Sequence, residues 1–251
     1  MKVMSRNTLI SVKHLSKSFG SKNVLKDINF DVMRGESFVI IGGSGSGKSV
    51  LLKCITGLLI PDNNSKVFIN DEDVTHQHII KRKNFLKKFG MLFQNNALFD
   101  SFPIWHNICF SLISAGILDN EKAKQYAVEK LEQVGLKSDI LELYPSELSG
   151  GMQKRVAIAR AIATNPEIIF FDEPTSGLDP IMSNTITGLI CNISKKLKST
   201  TITITHDINV MKKIADKVAL LKDGAMIWVN SLENTLKSNH EYLRSFLDKG
   251  S

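Results

Sequence analysis

Eight consecutive residues, Gly42, Gly43, Ser44, Gly45, Ser46, Gly47, Lys48 and Ser49, have the types and spacing needed to hold a chain of phosphates. They fit the pattern G-x-x-x-x-G-K-[ST], in which backbone N–H groups turn inward around phosphate oxygens and side chains must be small or absent. Lys48 is expected to bridge the β and γ oxygens and the Ser49 hydroxyl to bind Mg²⁺. A second group lies further along. The apolar run Ile168, Ile169, Phe170 and Phe171 ends abruptly in Asp172 and Glu173. Asp172 is placed to hold the Mg²⁺ shell, and Glu173 to polarise an attacking water. Each feature has a plain alternative: a flexible glycine turn, and a buried strand that happens to end in acids. The loop by itself fits kinases, GTPases and helicases equally.

The elements around these residues suit the chemistry. Residues 37–41 read as an apolar strand feeding the loop, and 49–59 as the helix that points its positive end at the phosphates. Alternating apolar residues mark strands at 8–19 and 28–33, with a turn at Arg34-Gly35 and a short strand at 66–70. Between about 95 and 150 strand runs are scarce, and 121–134 has helical spacing, which suggests a helical insertion. After Gly150 helices and strands alternate: a helix at 152–163, a strand at 167–171 buried on both faces, a helix at 180–196 and a β-branched strand at 200–205. Residues 217–222 and 225–229 read as a hairpin turning at Asp223-Gly224, with a closing helix over 231–247. Alternating strands and helices imply a parallel α/β core.

Bulk properties narrow the class. The 251 residues are 43% apolar and 23% charged, ordinary for a globular chain. Cys54, Cys109 and Cys191 stand apart, with no zinc spacing, and are expected to be reduced thiols. We expect no signal peptide and no membrane span. The nearest apolar run, residues 104–118, is interrupted by His106 and Asn107. The formal charge of +7 is compatible with nucleic acid, an anionic membrane or simple solubility. The densest basic patch, Lys81-Arg82-Lys83 with Lys87-Lys88, interleaves with apolar residues and reads as a solvated amphipathic segment.

Leu148-Ser149-Gly150-Gly151-Met152 resembles the LSGGQ signature of ABC ATPases, with Met152 where Gln is usual and Gln153 following. It opens a helix, so Ser149 and the N–H groups of Gly150 and Gly151 can face a phosphate. Other marks of that family fall in the expected order. Gln94 matches the Q-loop glutamine, which senses Mg²⁺ and links the site to the membrane subunit. Ser176-Gly177-Leu178-Asp179 matches the D-loop, and His206 the switch histidine near the γ-phosphate. Phe19 stands where an aromatic stacks on adenine. The remaining histidines, His14, His76, His78, His106 and His240, read as structural. The resemblance runs from about residue 8 to 229. It implies an α/β ABC ATPase fold: a RecA-like P-loop core with an antiparallel β subdomain and a helical subdomain. Residues 1–94 and 165–230 would form the nucleotide-binding core, 95–164 the helical subdomain and 231–251 a C-terminal helix. ATP and Mg²⁺ are the implied cofactors. A homodimer is implied too, sandwiching ATP between residues 42–49 of one copy and 149–152 of the other.

Within the family, the stretch Met91 to Ser101, reading MLFQNNALFDS, is similar to the corresponding run of Mla-type subunits, and so is the segment Tyr144 to Met152. That subgroup also carries Met at the Met152 position, and Ser245-Phe246-Leu247-Asp248 resembles its tail. Those subunits power phospholipid movement between bacterial membranes beside Mce-domain proteins. The resemblance therefore implies a peripheral subunit on the cytoplasmic face of the inner membrane, bound to a permease, with an Mce-domain component. Ala97, Leu98, Phe99, Phe102, Pro103, Ile104 and Trp105 would form an apolar socket for the permease, or pack inside the helical subdomain. Two other readings stand: a cassette for an amino acid, lipoprotein or metal chelate, and a non-transport ATPase on nucleic acid. The second lacks the expected coiled coils, zinc modules or fused second cassette, so nucleic acid is not an expected partner.

Overall fold

Paired strands and their crossover helices organise the chain, which a computed structural model describes over residues 7–77 and 88–248. The described residues form two units, one from residues 7–77 with 200–248 and one from 88–199. The expected amphipathic basic segment at 79–88 and His78 lie outside the described residues, apart from Lys88.

The first unit holds two sheets. Strand β1 (Thr8–Phe19) pairs antiparallel with β2 (Lys22–Met33) and with β4 (Lys66–Ile69), which pairs with the short β5 (Glu72–Asp73). β2 begins six residues earlier than the apolar pattern suggests, because Gly20 (φ 58°) makes a tight turn that lets Lys22 pair with Phe19. In the second sheet β3 (Ser37–Ile41) lies parallel to both β8 (Thr200–Thr205) and β9 (Lys217–Lys222). β9 turns at Asp223 and Gly224 into the antiparallel β10 (Ala225–Ser231). β3 and β8 have apolar or β-branched residues on both faces and are buried almost throughout, as in a covered parallel sheet. Helix α1 (Lys48–Thr56) follows β3. It stops short of residue 59 because Gly57 takes a left-handed C-cap (φ 79°) and Leu59 N–H returns to the Lys53 carbonyl.

The second unit pairs β6 (Phe89–Leu92) in parallel with β7 (Ile168–Asp172) and carries four helices. These are α2 (Ile104–Ser114), α3 (Asn120–Gln133), α4 (Gly150–Ala161) and α5 (Pro180–Leu197). α2 occupies the first part of the apolar run at 104–118, inside the expected helical insertion, and buries most of its surface. Ile104, Ile108, Cys109 and Leu112 join Ala123, Ala127 and Leu131 of α3 and Val156 and Ile158 of α4 in one core. His106 and Asn107, which interrupt the run, differ in burial: His106 is partly exposed and Asn107 is fully buried.

Helix α6 (Ile208–Ile214) completes the crossover in the first unit. The single closing helix expected over 231–247 is two short ones, α7 (Leu232–Lys237) and α8 (Glu241–Asp248). Polar side chains break it. The Ser231 hydroxyl accepts from Asn234 N–H to start α7, Ser238 is extended, and His240 Nδ1 accepts from Leu243 N–H to start α8. Among the described residues no helix is long and apolar enough to cross a membrane.

Candidate functional site

In the first unit, residues 42–49 leave the C-terminal end of β3 and are shaped by neighbours. A Cβ on Gly42 would collide with the Leu221 carbonyl of β9 and stand 2.9 Å from Ser46 Oγ. A Cβ on Gly47, at φ 105°, would stand 2.9 Å from Leu25 Cδ2 and 3.1 Å from the Val24 carbonyl of β2. Glycine is therefore required twice over by close approach, while Gly45 (φ 75°) faces open space and needs only the left-handed backbone. Gly224 N–H donates to the Ser46 carbonyl at 3.2 Å, so the β9–β10 turn braces the loop from below.

The interior of the loop suits an anion. Lys48 Nζ donates to the Gly42 carbonyl at 2.8 Å and the Gly43 carbonyl at 3.0 Å, which holds the ammonium across the loop mouth. Gly47 offers no capping side chain to α1, and the first turn carries no acid, so the helix's positive end faces the loop without a carboxylate of its own turn beside it. Ser46 Oγ is buried without a hydrogen-bond partner among the described residues. A glycine cradle, a bridging lysine and an unpartnered hydroxyl together fit a nucleotide's phosphates.

His206 enters beside this loop by register. Ile41 of β3 pairs with Thr205 of β8, so Gly42 and His206 both step off the same edge of the sheet. Thr205 Oγ1 accepts from Asp207 N–H at 3.0 Å, and Asp207 caps α6 through Asn209 and Val210 N–H, which fixes the turn and leaves His206 exposed. Phe19 ends β1 with 48% of its surface exposed, and Lys17 Nζ lies 5.2 Å from its ring centre.

The second unit gathers the other residues. Leu92 of β6 pairs with Phe171 of β7, so Gln94 and the Asp172-Glu173 pair leave the same edge. β7 is buried along its whole length, and both carboxylates remain buried at its end. Glu173 adopts φ 49°, a left-handed backbone that a non-glycine residue holds only when its surroundings enforce it. The turn after it is closed by Ser176 N–H to the Glu173 carbonyl at 3.1 Å and Leu178 N–H to the Thr175 carbonyl at 3.2 Å. Asp179 Oδ1 accepts from Ile181 and Met182 N–H and caps α5, so this carboxylate is already engaged with its own helix.

Ser149 caps α4, with Oγ accepting from Met152 N–H at 3.4 Å. Gly150 has open space around its Cα, and Gly151 lies against the flexible end of Met182. Met152 packs onto the core of the unit, whereas Gln153 turns back and donates Nε2 to the Pro145 carbonyl at 2.9 Å. The glutamine one place later thus secures the turn that delivers Ser149.

The apolar residues after Gln94 divide. Ile104 and Trp105 are buried in the core and Leu98 packs against it. Phe99 remains 40% exposed, edge-on to Phe102 and tilted against Phe110, while Phe102 stacks on His106. Three residues that sequence reasoning passed over shape this segment. Asn107, fully buried, accepts from Phe99 N–H and donates to the Phe99 and Phe102 carbonyls at 3.0 and 2.8 Å. Lys154 and Arg160 of α4 reach the backbone just before it. The mixture of cations and apolar residues along α4 was the available signal, since a cation on a buried face needs an acceptor.

A family model described as ABC transporter matches residues 25–176. The chain is 36% identical over 245 residues to the probable ribonucleotide transport ATP-binding protein mkl of Mycobacterium leprae (strain TN), covering 98% of this chain and 70% of that one. It is 37% identical over 243 residues to the methionine import ATP-binding protein MetN of Clostridioides difficile (strain 630), covering 97% and 75%. Among solved structures, the dimeric ATP-binding cassette MJ0796 in a post-hydrolysis state bound to ADP and Pi matches with a TM-score of 0.81 at 32% identity, covering 89% of this chain and 99% of that one. The matched family model, the relatives at 36 and 37% identity and the cassette structure place this chain in the ABC transporter family, as an ATP-binding cassette ATPase.

Proposed function

We propose that this cassette is the motor subunit of a membrane transporter, working as a homodimer that binds ATP and drives a permease by hydrolysing it. The enforced cradle at 42–49 carries the reading, because its two close-packed glycines, bridging Lys48 and buried Ser46 hydroxyl serve no purpose in a plain turn. In this scheme residues 42–49 bind the triphosphate, Phe19 stacks on adenine, and Ser149, Gly150 and Gly151 contact the γ-phosphate bound by the partner copy. Glu173 takes the proton of the attacking water, and His206 positions the γ-phosphate. Ser49, Asp172 and Gln94 would hold Mg²⁺, which neutralises charge developing on the phosphate oxygens. Asp179 shapes the D-loop as a helix cap.

Replacing Glu173 with Gln preserves size and hydrogen bonding while removing the base. Turnover should fall by about 10²- to 10⁴-fold with ATP binding retained. Wild-type turnover in Glu173→Gln would remove Glu173 from this role.

For cargo we propose phospholipid, with an Mce-domain component in the complex and the cassette peripheral on the cytoplasmic face of the inner membrane. The run 91–101, Met152 and the tail Ser245-Phe246-Leu247-Asp248 support this by their resemblance to Mla-type subunits. A second reading, a small-solute importer, is favoured by relatives named for methionine import and ribonucleotide transport. Purification of the cassette with its permease, followed by lipid extraction, separates them: co-purifying phospholipid supports the first, and a lipid-free complex that binds a soluble solute supports the second.

A further inference from the structure

Helix α4 starts at the signature serine and spends two cations on the backbone of another segment. Lys154 Nζ donates to the Gln94 carbonyl at 3.0 Å. Arg160 donates Nη1 to the Ala97 carbonyl at 2.6 Å and Nη2 to the Asn96 carbonyl at 2.7 Å. Among the described residues neither cation is paired with a carboxylate. Both are substantially buried, and burial lowers the pKa of each. Desolvating two charges to bind three carbonyls is costly unless the geometry they enforce matters.

The backbone they hold is one that the chain would not adopt unaided. Asn96 has φ 59° and Ala97 φ 51°, both left-handed. Asparagine tolerates that region, but alanine does not favour it, and such a conformation persists only where the surroundings over-determine it. A planar guanidinium carries two donors at fixed spacing and can fasten two successive carbonyls. An ammonium, a single flexible point charge, cannot reproduce that. Arg160 also lies 5.9 Å from the Phe99 ring centre, which limits the fork's freedom from the other side.

We infer that Arg160 and Lys154 are positioning residues for Gln94, fastening the backbone of 94–97 to the signature helix so that the Gln94 amide is presented in one orientation. The inference rests on the proposed role of Gln94 toward Mg²⁺. It also makes the signature helix and the glutamine segment one mechanical piece, so a displacement of Ser149 carries Gln94 with it.

The test uses the full chain with Arg160→Lys, which keeps the charge and loses the fork, and Lys154→Met, which keeps the stem and loses the donor. Two readouts are taken. In the nucleotide-free protein, amide hydrogen exchange over 95–99 should accelerate at least tenfold, while exchange in β3 and β8 stays as in wild type. In turnover assays, the Mg²⁺ concentration for half-activation should rise about tenfold, as for lost outer-shell partners of a metal ligand, with Mg²⁺-free ATP binding unchanged. Gln94→Ala should show the same Mg²⁺ shift, and Arg160→Lys combined with Gln94→Ala should shift it no further. Wild-type Mg²⁺ dependence in both single variants, or full additivity with Gln94→Ala, overturns the positioning role. If Gln94→Ala alone leaves the Mg²⁺ dependence unchanged, the reading of Gln94 itself fails, a distinct result. If Arg160→Lys is too unstable to assay, Lys154→Met decides the matter alone.

Discussion

Two loops step off the C-terminal edges of parallel strands, one in each unit, and they are built by opposite means. The phosphate loop at 42–49 takes its unusual backbone from glycine, and its neighbours merely forbid anything larger. The segment at 94–103 takes equally unusual backbone from Asn96 and Ala97, and holds it with side chains sent from a distance: Lys154, Arg160 and Asn107. The first device is written where it acts. The second is distributed over residues that lie 4 to 64 positions away from the backbone they hold. A loop of the first kind tolerates change in its surroundings provided space is kept, whereas one of the second kind fails when any of its distant holders is lost.

The sharpest break in the comparison is expected at Gly42. Gly42→Ala places a methyl against the Leu221 carbonyl backbone, which cannot move without disturbing β9. Stability should fall by about 3 kcal/mol, as for overpacking against fixed atoms, with ATP binding lost. Gly45→Ala, at φ 75° with open space around it, should cost only about 1 kcal/mol, the price of a left-handed alanine. Urea unfolding and binding of a fluorescent ATP analogue check both. Equal effects at the two glycines would mean that the close approach at Gly42 is not what fixes the loop.

Asn107→Leu attacks the other region. A near-isosteric apolar side chain leaves the Phe99 and Phe102 carbonyls without their donor and Phe99 N–H without its acceptor, inside a fully buried site. The expected loss is about 2 kcal/mol by urea unfolding. ATP affinity without Mg²⁺ should stay within about twofold of wild type, since phosphate contacts supply that affinity. A loss of nucleotide affinity as large as at Gly42 would show that the two loops are not independent devices.

The same contrast explains what could be read from the sequence. The cradle at 42–49, the buried strand ending in Asp172 and Glu173, and the hairpin at Asp223-Gly224 were legible because residue type and local spacing dictate each one. The parallel α/β core followed from the alternation of strands and helices after Gly150. The left-handed Glu173 was not legible, because a glutamate carries no sign of a backbone imposed by its surroundings. Nor was the break at 238–240, where three polar residues compete for helix ends within a pattern that otherwise continues. Helix α2 was legible only as part of the helical insertion expected over 95–150, because burial on most of its sides leaves few polar positions to mark its bounds. Asn107 looked like an interruption of an apolar run, yet it is the residue that organises the loop beside it.

Acid offers the gentlest way to separate the two regions, because the first unit's β4–β5 edge leans on a carboxylate held well below its usual range, whereas the side chains that hold 94–103 include no carboxylate. Burial by itself would raise the Asp73 carboxyl, but hydrogen bonds from Lys66 and Thr75 outweigh it and set the pKa at about 2. The unfolded value is near 3.9, so the folded chain binds fewer protons between these values and stability falls as pH drops through that window. The contribution is complete above about pH 5, mostly lost by about pH 2 and gone near pH 1. Asp73 is more than a third exposed, so solvent screening leaves it a contribution of about 1 kcal/mol. Asp73→Asn should lose that amount at neutral pH and show a correspondingly flatter urea midpoint between pH 5 and 2. The holders of the segment at 94–103 are a lysine, an arginine and an amide, and none of them changes charge in this range. Amide protection at residues 96–99 should therefore persist down the titration until the chain unfolds as a whole. Loss of that protection ahead of global unfolding would show that a carboxylate, and not the Arg160 fork, holds the loop.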